Sequence, residues 1–264
     1  MGVSTISLGL GLGGGKSATS SGTSGGGVTP FSNVNSLSFD GTDDTLSIGS
    51  VLTPSATSGS ISGWAKVPSS NTGQMPILAW SNITNSSFTA RVFLTIRNGK
   101  ARFYHQDSTN IDIVEGNTSG LNNNNWHHVA VVSNGSSYVL YVNGSAETLS
   151  VPLGTNSGDW VADMVGTLEL TEMGASRRAS GLSSDFGQGL LDEVALWDSA
   201  LTASNITAIY NSGVPNDISS LNPVGWWRMG DNNGASGTTI TDQGSGGNNA
   251  TLLNGPTFTT DVPS

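Results

Sequence analysis

Trp126-His127-His128-Val129-Ala130-Val131-Val132-Ser133-Asn134-Gly135-Ser136-Ser137-Tyr138-Val139-Leu140-Tyr141-Val142-Asn143-Gly144 contains two apolar runs, each followed by an Asn-Gly pair. Side chains two apart on a strand share a face. Tyr138, Leu140 and Val142 therefore point one way, and Val139 and Tyr141 the other. Asn-Gly supplies the positive φ angles that a two-residue hairpin turn requires. The stretch reads as paired antiparallel strands. The pattern recurs upstream, where Val92-Phe93-Leu94-Thr95-Ile96-Arg97 and Lys100-Ala101-Arg102-Phe103-Tyr104 flank Asn98-Gly99. Short strands between Gly, Asn, Asp and Ser clusters fill residues 31–213, which predicts an all-β body of two antiparallel sheets packed as a sandwich. One short helix is expected over 202–210. Thr202 is its cap, Ile206, Ile209 and Tyr210 share a face, and Gly213 lies just past its end.

Composition bounds the function. The 264 residues carry 9 Lys+Arg against 19 Asp+Glu, a net charge of −10, with no Cys and 36 Gly. The length suffices for a core that needs no covalent staples. Without Cys there is no disulfide framework, thiolate metal site or cysteine nucleophile. The acidic balance argues against nucleic-acid binding, which calls for a basic patch. Membrane insertion is not expected, since the longest apolar stretch, residues 6–15, is rich in glycine and shorter than the roughly 20 residues of a spanning helix. The first charged side chain is Lys16, so a basic secretory leader is not expected either. Residues 1–30 hold ten glycines and a single charged side chain, and read as a Gly/Ser-rich arm. Its alternating Val3-Ser4-Thr5-Ile6-Ser7-Leu8 can add a strand to a sheet edge, while the composition equally suits a plain linker.

Five segments in order carry a family resemblance. They are Phe39-Asp40-Gly41-Thr42-Asp43-Asp44; Ile61-Ser62-Gly63-Trp64-Ala65-Lys66-Val67; Trp126-His127-His128-Val129-Ala130-Val131-Val132; Leu140-Tyr141-Val142-Asn143-Gly144; and Gly189-Leu190-Leu191-Asp192-Glu193-Val194-Ala195-Leu196-Trp197. Together they resemble the laminin-G-like branch of the concanavalin A-like lectin/glucanase superfamily over about residues 35–213. The resemblance implies a jelly-roll sandwich, with carbohydrate or protein binding as the commonest role. Fold alone does not fix function. Residues 214–264 depart from the pattern: Val224-Gly225-Trp226-Trp227-Arg228-Met229-Gly230-Asp231 resembles a segment that opens similar modules, yet here it follows the body. The tail closes its own sandwich, donates to a neighbouring copy, or starts a second module. The first is favoured because domain termini often lie close together.

The chemistry-bearing residues are few. Retaining glycoside hydrolysis needs two carboxyls about 5–5.5 Å apart. The nearest mimic here, Glu169-Leu170-Thr171-Glu172, would send its two carboxyls to opposite faces of a strand. His105, His127 and His128 form no nucleophilic triad, and Gly11-Leu12-Gly13-Gly14-Gly15-Lys16 lacks phosphate-loop spacing. A non-enzymatic protein is expected. One structural Ca²⁺ is a candidate, with Asp40, Asp43 and Asp44 on a turn and Asp192 on the face of Leu190, Val194 and Leu196. Related modules often hold such an ion, but the same aspartates can simply cap turns. Trp80, Tyr104, Asp159 and Trp160 are candidate ligand contacts, pairing aromatic faces with polar groups, whereas Trp64, Trp126 and Trp197 are expected to be buried.

The Gly-rich start, absence of Cys and acidic balance resemble structural proteins of marine tailed bacteriophages. That resemblance implies a virion-surface location, as capsid decoration or tail-fibre component. Its partners would be other virion proteins, or copies of itself docked through the arm as a homo-oligomer, with glycans contacted by the lectin-like module. A secreted lectin or adhesin is the alternative reading, and a glycoside hydrolase comes last.

Overall fold

The computed structural model describes residues 31–49, 52, 54–84, 90–108, 110–164, 167–178 and 184–264; the arm at 1–30 lies outside them. Two large antiparallel sheets dominate. The first runs Ser145–Ala146, Tyr138–Val142, Trp126–Ser133, Gly59–Lys66, Gln188–Trp197, Ser36–Asp40, Thr257–Thr259, with Gly225–Trp227 also paired to Gln188–Trp197. The second runs Leu149–Leu153, Asn110–Gly116, Lys100–Asp107, Ala90–Arg97, Gln74–Ser81, Leu170–Met173, Thr45–Ile48, Ala250–Leu253, Thr239–Ile240. This is the expected all-β sandwich with one α-helix, Ala203–Tyr210.

The alternation read from the sequence sorts side chains as physics requires. Tyr138, Leu140 and Val142 enter the core between the sheets with Val92, Leu94, Ile96 and Phe103. Tyr141 turns outward, joining Ala130, Val132, Trp197, Ile206 and Ile209 beneath the helix. Each fully buried apolar side chain of this size contributes roughly 1.5–3 kcal/mol. Thr202 caps the helix by accepting from Asn205 N at 3.1 Å, and Asn205 Oδ1 accepts from Thr202 N in return. Asn211, at φ +45°, ends the helix, so the left-handed closing position falls two residues before Gly213.

Two of the three Asn-Gly pairs within residues 31–213 form two-residue turns: Asn98-Gly99 joins Arg97 to its partner Lys100, and Asn143-Gly144 joins Val142 to Ser145. The third does not. Ser133 pairs with Tyr138, leaving a four-residue loop in which Asn134 Oδ1 accepts from both Ser136 N and Ser137 N at 2.9 Å. The asparagine side chain supplies the turn there, and only Gly135 is left-handed.

A β-bulge breaks the period in Gln188–Trp197. Asp192 pairs with Trp64 and Ala195 with Ser62, so Glu193 and Val194 together oppose Gly63. Glu193 takes φ +47°. A Cβ on Gly63 would lie 2.7 Å from Ile77 and 3.1 Å from Val194, so the close approach needs glycine. Leu191, Val194 and Leu196 face the core while Ala195 and Trp197 face the helix. The expectation that Asp192 shares the face of Val194 and Leu196 is therefore wrong: strict alternation does not survive the extra residue.

Residues 214–264 contribute strands to both sheets. Ala250–Leu253 pairs with Thr45–Ile48 in the second sheet, Thr257–Thr259 with Ser36–Asp40 in the first, and Trp227 is fully buried. Asp242 fixes the intervening loop by accepting from Trp226 N, Gly244 N and Asn248 N at 2.7–2.8 Å.

Candidate functional site

Asp40, Asp43 and Asp44 follow the strand Ser36–Asp40 through a turn, and a carboxylate oxygen from each lies within 4.8 Å of the others. Asp40 accepts from Thr42 N at 2.7 Å and Asp44 from Asp40 N at 2.9 Å, so each spends one oxygen on the turn and keeps the other. Burial, opposed by that amide, and repulsion from Asp40 and Asp43 raise the Asp44 pKa. This all-oxygen, negatively charged set fits a hard cation such as Ca²⁺ in charge and donor type, with further oxygens needed from carbonyls or water. Asp192 lies outside this group.

Asp192 belongs instead to a buried charge network around the bulge. Its carboxylate accepts from Asn33 Nδ2 at 2.9 Å and from Glu193 N at 2.8 Å. Glu193 accepts from Trp226 Nε1 at 2.6 Å and Arg228 Nε at 2.9 Å. Arg228 also reaches Asp231 at 3.1 Å and Ser32 O at 2.5 Å, and its guanidinium lies 4.1 Å from the Phe31 ring centre. Asp231 receives Val34 N and Asn35 N, which straps residues 31–35 to the body. Burial pushes Glu193 up to about 7 despite Arg228, and Asp192 is raised well above the ordinary carboxylate value by burial and the Glu193 charge.

The four ligand candidates do not converge. Trp80 is fully buried on the core face, its Nε1 donating to Leu52 O at 2.5 Å. Trp160 is equally buried, stacked on Phe103 with ring centres 5.6 Å apart. Neither can present a face to a ligand, because their neighbours in sequence are polar but their side chains fill the sandwich. Tyr104 lies on the outer side of the second sheet, 4.8 Å from Phe93, and donates to Gln106 at 2.6 Å. Asp159 lines a separate cleft of about 480 Å³ with Asp112, Thr155 and Ser157. Glu169 and Glu172 are not paired either: Glu172 is buried against Arg177 and Thr45, whereas Glu169 accepts from Ile83 N and Thr84 N.

An aromatic and amide-rich cleft lies elsewhere. On the helix side of the first sheet, Trp64, Trp126, Tyr210, Lys66, Asn124, Asn125 and Asn143 surround about 420 Å³. Asn143, Tyr210 and Ser212 also border an adjoining cleft of about 700 Å³ along the helix. Trp126 is half-buried, contrary to expectation, and donates to Asp261 at 2.9 Å; Lys66 pairs with the same carboxylate at 2.5 Å. Trp126 opens its strand directly after Asn122-Asn123-Asn124-Asn125, so it sits where the sheet ends, a position the polar run signals. Tyr210 is held by the helix and stacks on Trp64 at 5.7 Å. A Cβ on Gly144 would come within 2.8 Å of the Tyr210 ring, so glycine lets hairpin and helix meet. Asn143 accepts from His128 N at 3.0 Å. Behind the cleft, complete burial pulls the His128 pKa down to about 3, keeping its ring neutral. Aromatic walls with amides suit molecules that combine an apolar C–H face with hydroxyls.

The family model described as the concanavalin A-like lectin/glucanases superfamily matches residues 40–207. No curated protein matches the chain. Among solved structures, a candidate carbohydrate-binding protein from Bacteroides ovatus is 19% identical with TM-score 0.60; the match covers 89% of this chain and 62% of that protein. The Ruminococcus gnavus IT-sialidase CBM40 bound to α2,6-sialyllactose is 14% identical with TM-score 0.53, over 67% of this chain and 96% of that one. The NanB sialidase of Streptococcus pneumoniae is 17% identical with TM-score 0.52, over 66% of this chain and 27% of that one. At these identities the likeness is one of fold. With the family model matching more than half of its residues, this chain belongs to the concanavalin A-like lectin/glucanase superfamily.

Proposed function

We propose that the chain is a non-catalytic, lectin-like module that contacts glycans through the cleft bordered by Trp126, Tyr210 and Asn143. The observation that carries this reading is the meeting of aromatic rings with Asn124, Asn125 and Asn143 in one open cleft. The similar fold of a CBM40 structure bound to sialyllactose supports it. The Lys66 ammonium is already paired with Asp261, so the cleft offers a sugar stacking and amide hydrogen bonds more than net charge. A glycan array should yield at least one ligand, and Trp126→Ala should weaken its binding about tenfold or more. An array without binders would overturn the reading.

One structural Ca²⁺ held by Asp40, Asp43 and Asp44 is part of the same proposal, supported by their proximity and by the raised Asp44. Repeating the titrations and melts with added Ca²⁺ and then EDTA should raise and lower the melting temperature, respectively. Identical curves would remove the ion from the account.

The setting we propose is a virion surface, where the module is anchored to other virion proteins or to copies of itself. Its support is compositional: 36 glycines, no Cys and a net charge of −10. Antibodies to the chain should label intact phage particles. Recovery only as free secreted protein would favour the lectin or adhesin reading instead.

A further inference from the structure

One carboxylate from late in the chain sets the charge at the cleft. Lys66 and Trp126 are direct partners on neighbouring strands of the first sheet, and both line the cleft. Asp261 binds both at once. Its Oδ1 accepts from Trp126 Nε1 at 2.9 Å and its Oδ2 from Lys66 Nζ at 2.5 Å. Its backbone is fixed as well, since Asp261 O accepts from the buried Ser36 Oγ at 2.6 Å and Asp261 N donates to Thr259 Oγ1 at 3.3 Å. Against partial burial, Lys66 and Trp126 hold the Asp261 carboxyl below the ordinary carboxylate range, so it is charged at neutral pH.

No second cation serves the site. Among the described residues, Lys66 is the only charged side chain lining this cleft or the adjoining one along the helix. The adjoining cleft offers hydroxyls and amides, with Ser145, Ser204, Thr207 and Asn211 beside the shared Asn143 and Tyr210. A carboxylate entering here would meet a cation that Asp261 already neutralises, on a chain of net charge −10. It would lose water without gaining a free counter-ion, and it would repel Asp261. A neutral sugar meets neither cost. Resting on the glycan reading, we propose that Asp261 is a specificity-determining residue that restricts the cleft to neutral glycans. It withholds Lys66 from acidic sugars and positions Trp126 as a stacking wall.

Asp261→Asn separates these two roles. The amide keeps an oxygen for Trp126 Nε1, while its NH2 group replaces the oxygen that engages Lys66. The indole retains its acceptor and the ammonium is released to a ligand.

The test places the full chain, Asp261→Asn and Asp261→Asn/Lys66→Met on an array of matched pairs. Each pair is a neutral oligosaccharide and the same oligosaccharide carrying a sialic or uronic acid, lactose and sialyllactose being one. The wild type should bind neutral members about tenfold or more tighter than their acidic counterparts, with little dependence on salt. Asp261→Asn should raise the acidic-to-neutral affinity ratio about tenfold. That gain should shrink at high salt, and adding Lys66→Met should remove it. General loosening of the site would lower both affinities together and leave the ratio unmoved. Three results would overturn the inference while glycan binding stands: acidic members bound by the wild type as tightly as neutral ones, neutral binding that collapses with salt, or a folded Asp261→Asn whose ratio is unchanged or which binds neither member. An array without binders would instead remove the glycan reading, and this inference with it.

Discussion

Truncation after residue 213 is expected to abolish cooperative folding, so that far-ultraviolet circular dichroism of the shortened chain shows no melting transition. The shortened chain retains every strand of the family-matched segment, yet it loses pairing in both sheets at once. Removing Ala250–Leu253 exposes the edge of Thr45–Ile48, and removing Thr257–Thr259 exposes that of Ser36–Asp40. The core also loses Trp227, Met229, Ile240 and Ala250, all buried between the sheets. Losing each of the three large side chains costs roughly 1.5–3 kcal/mol or more. With the lost strand pairing, the sum is comparable to the roughly 5–15 kcal/mol of net stability a domain possesses. A truncated chain with a sharp melt near that of the full chain would show that the tail is an accessory.

The second large effect is expected at Arg228. Arg228→Met removes the cation that holds Glu193 and Asp231 and that receives Ser32 O and the Phe31 ring. Breaking a buried pair from one side typically costs about 3–5 kcal/mol, because the partner is left charged and unpaired. Chemical denaturation at pH 8 should show a loss of that order. The loss should shrink as pH falls, because Glu193 becomes protonated near 7. The sign follows from linkage: with its folded pKa raised, the native state binds more protons than the unfolded chain. Stability from this group is fully present below about 4.5, and is lost as pH rises through about 7. Glu193→Gln mimics the protonated acid, so it should leave stability nearly unchanged at pH 5 and flatten this part of the profile toward pH 8. An unaltered pH profile in Glu193→Gln would place the titration elsewhere. His128 acts in the opposite sense, since burial lowers its pKa and stability from it falls between about 6.5 and about 3.

The fold was legible because alternation, Asn-Gly pairs and one capped helix are local signals that the sheets preserve, as Tyr138, Leu140 and Val142 illustrate. The misreadings arose where a local rule was overridden. A single extra residue at Glu193 reversed the phase beyond Asp192, and nothing in Leu191-Asp192-Glu193-Val194 marks that bulge. Trp80 and Trp160 were expected to contact ligand because polar residues adjoin them, but each projects into the sandwich. Trp126 shows the converse: the four asparagines before it place it at the sheet end, where its indole Nε1 donates to Asp261. Sequence separation explains why that partnership was invisible, for the two residues are 135 positions apart along the chain. The cleft itself combines a hairpin turn, a helix end and a strand start, and only the folded chain brings these together.

The most direct test of glycan contact at this cleft is titration of one array-selected oligosaccharide by isothermal calorimetry against three proteins. These are the wild type, Trp126→Ala and, as a control on a different surface, Tyr104→Phe. The account predicts saturable binding by the wild type and the Tyr104→Phe control, and binding about tenfold or more weaker for Trp126→Ala. Equal affinity of Trp126→Ala and wild type, with both still folded, would contradict it.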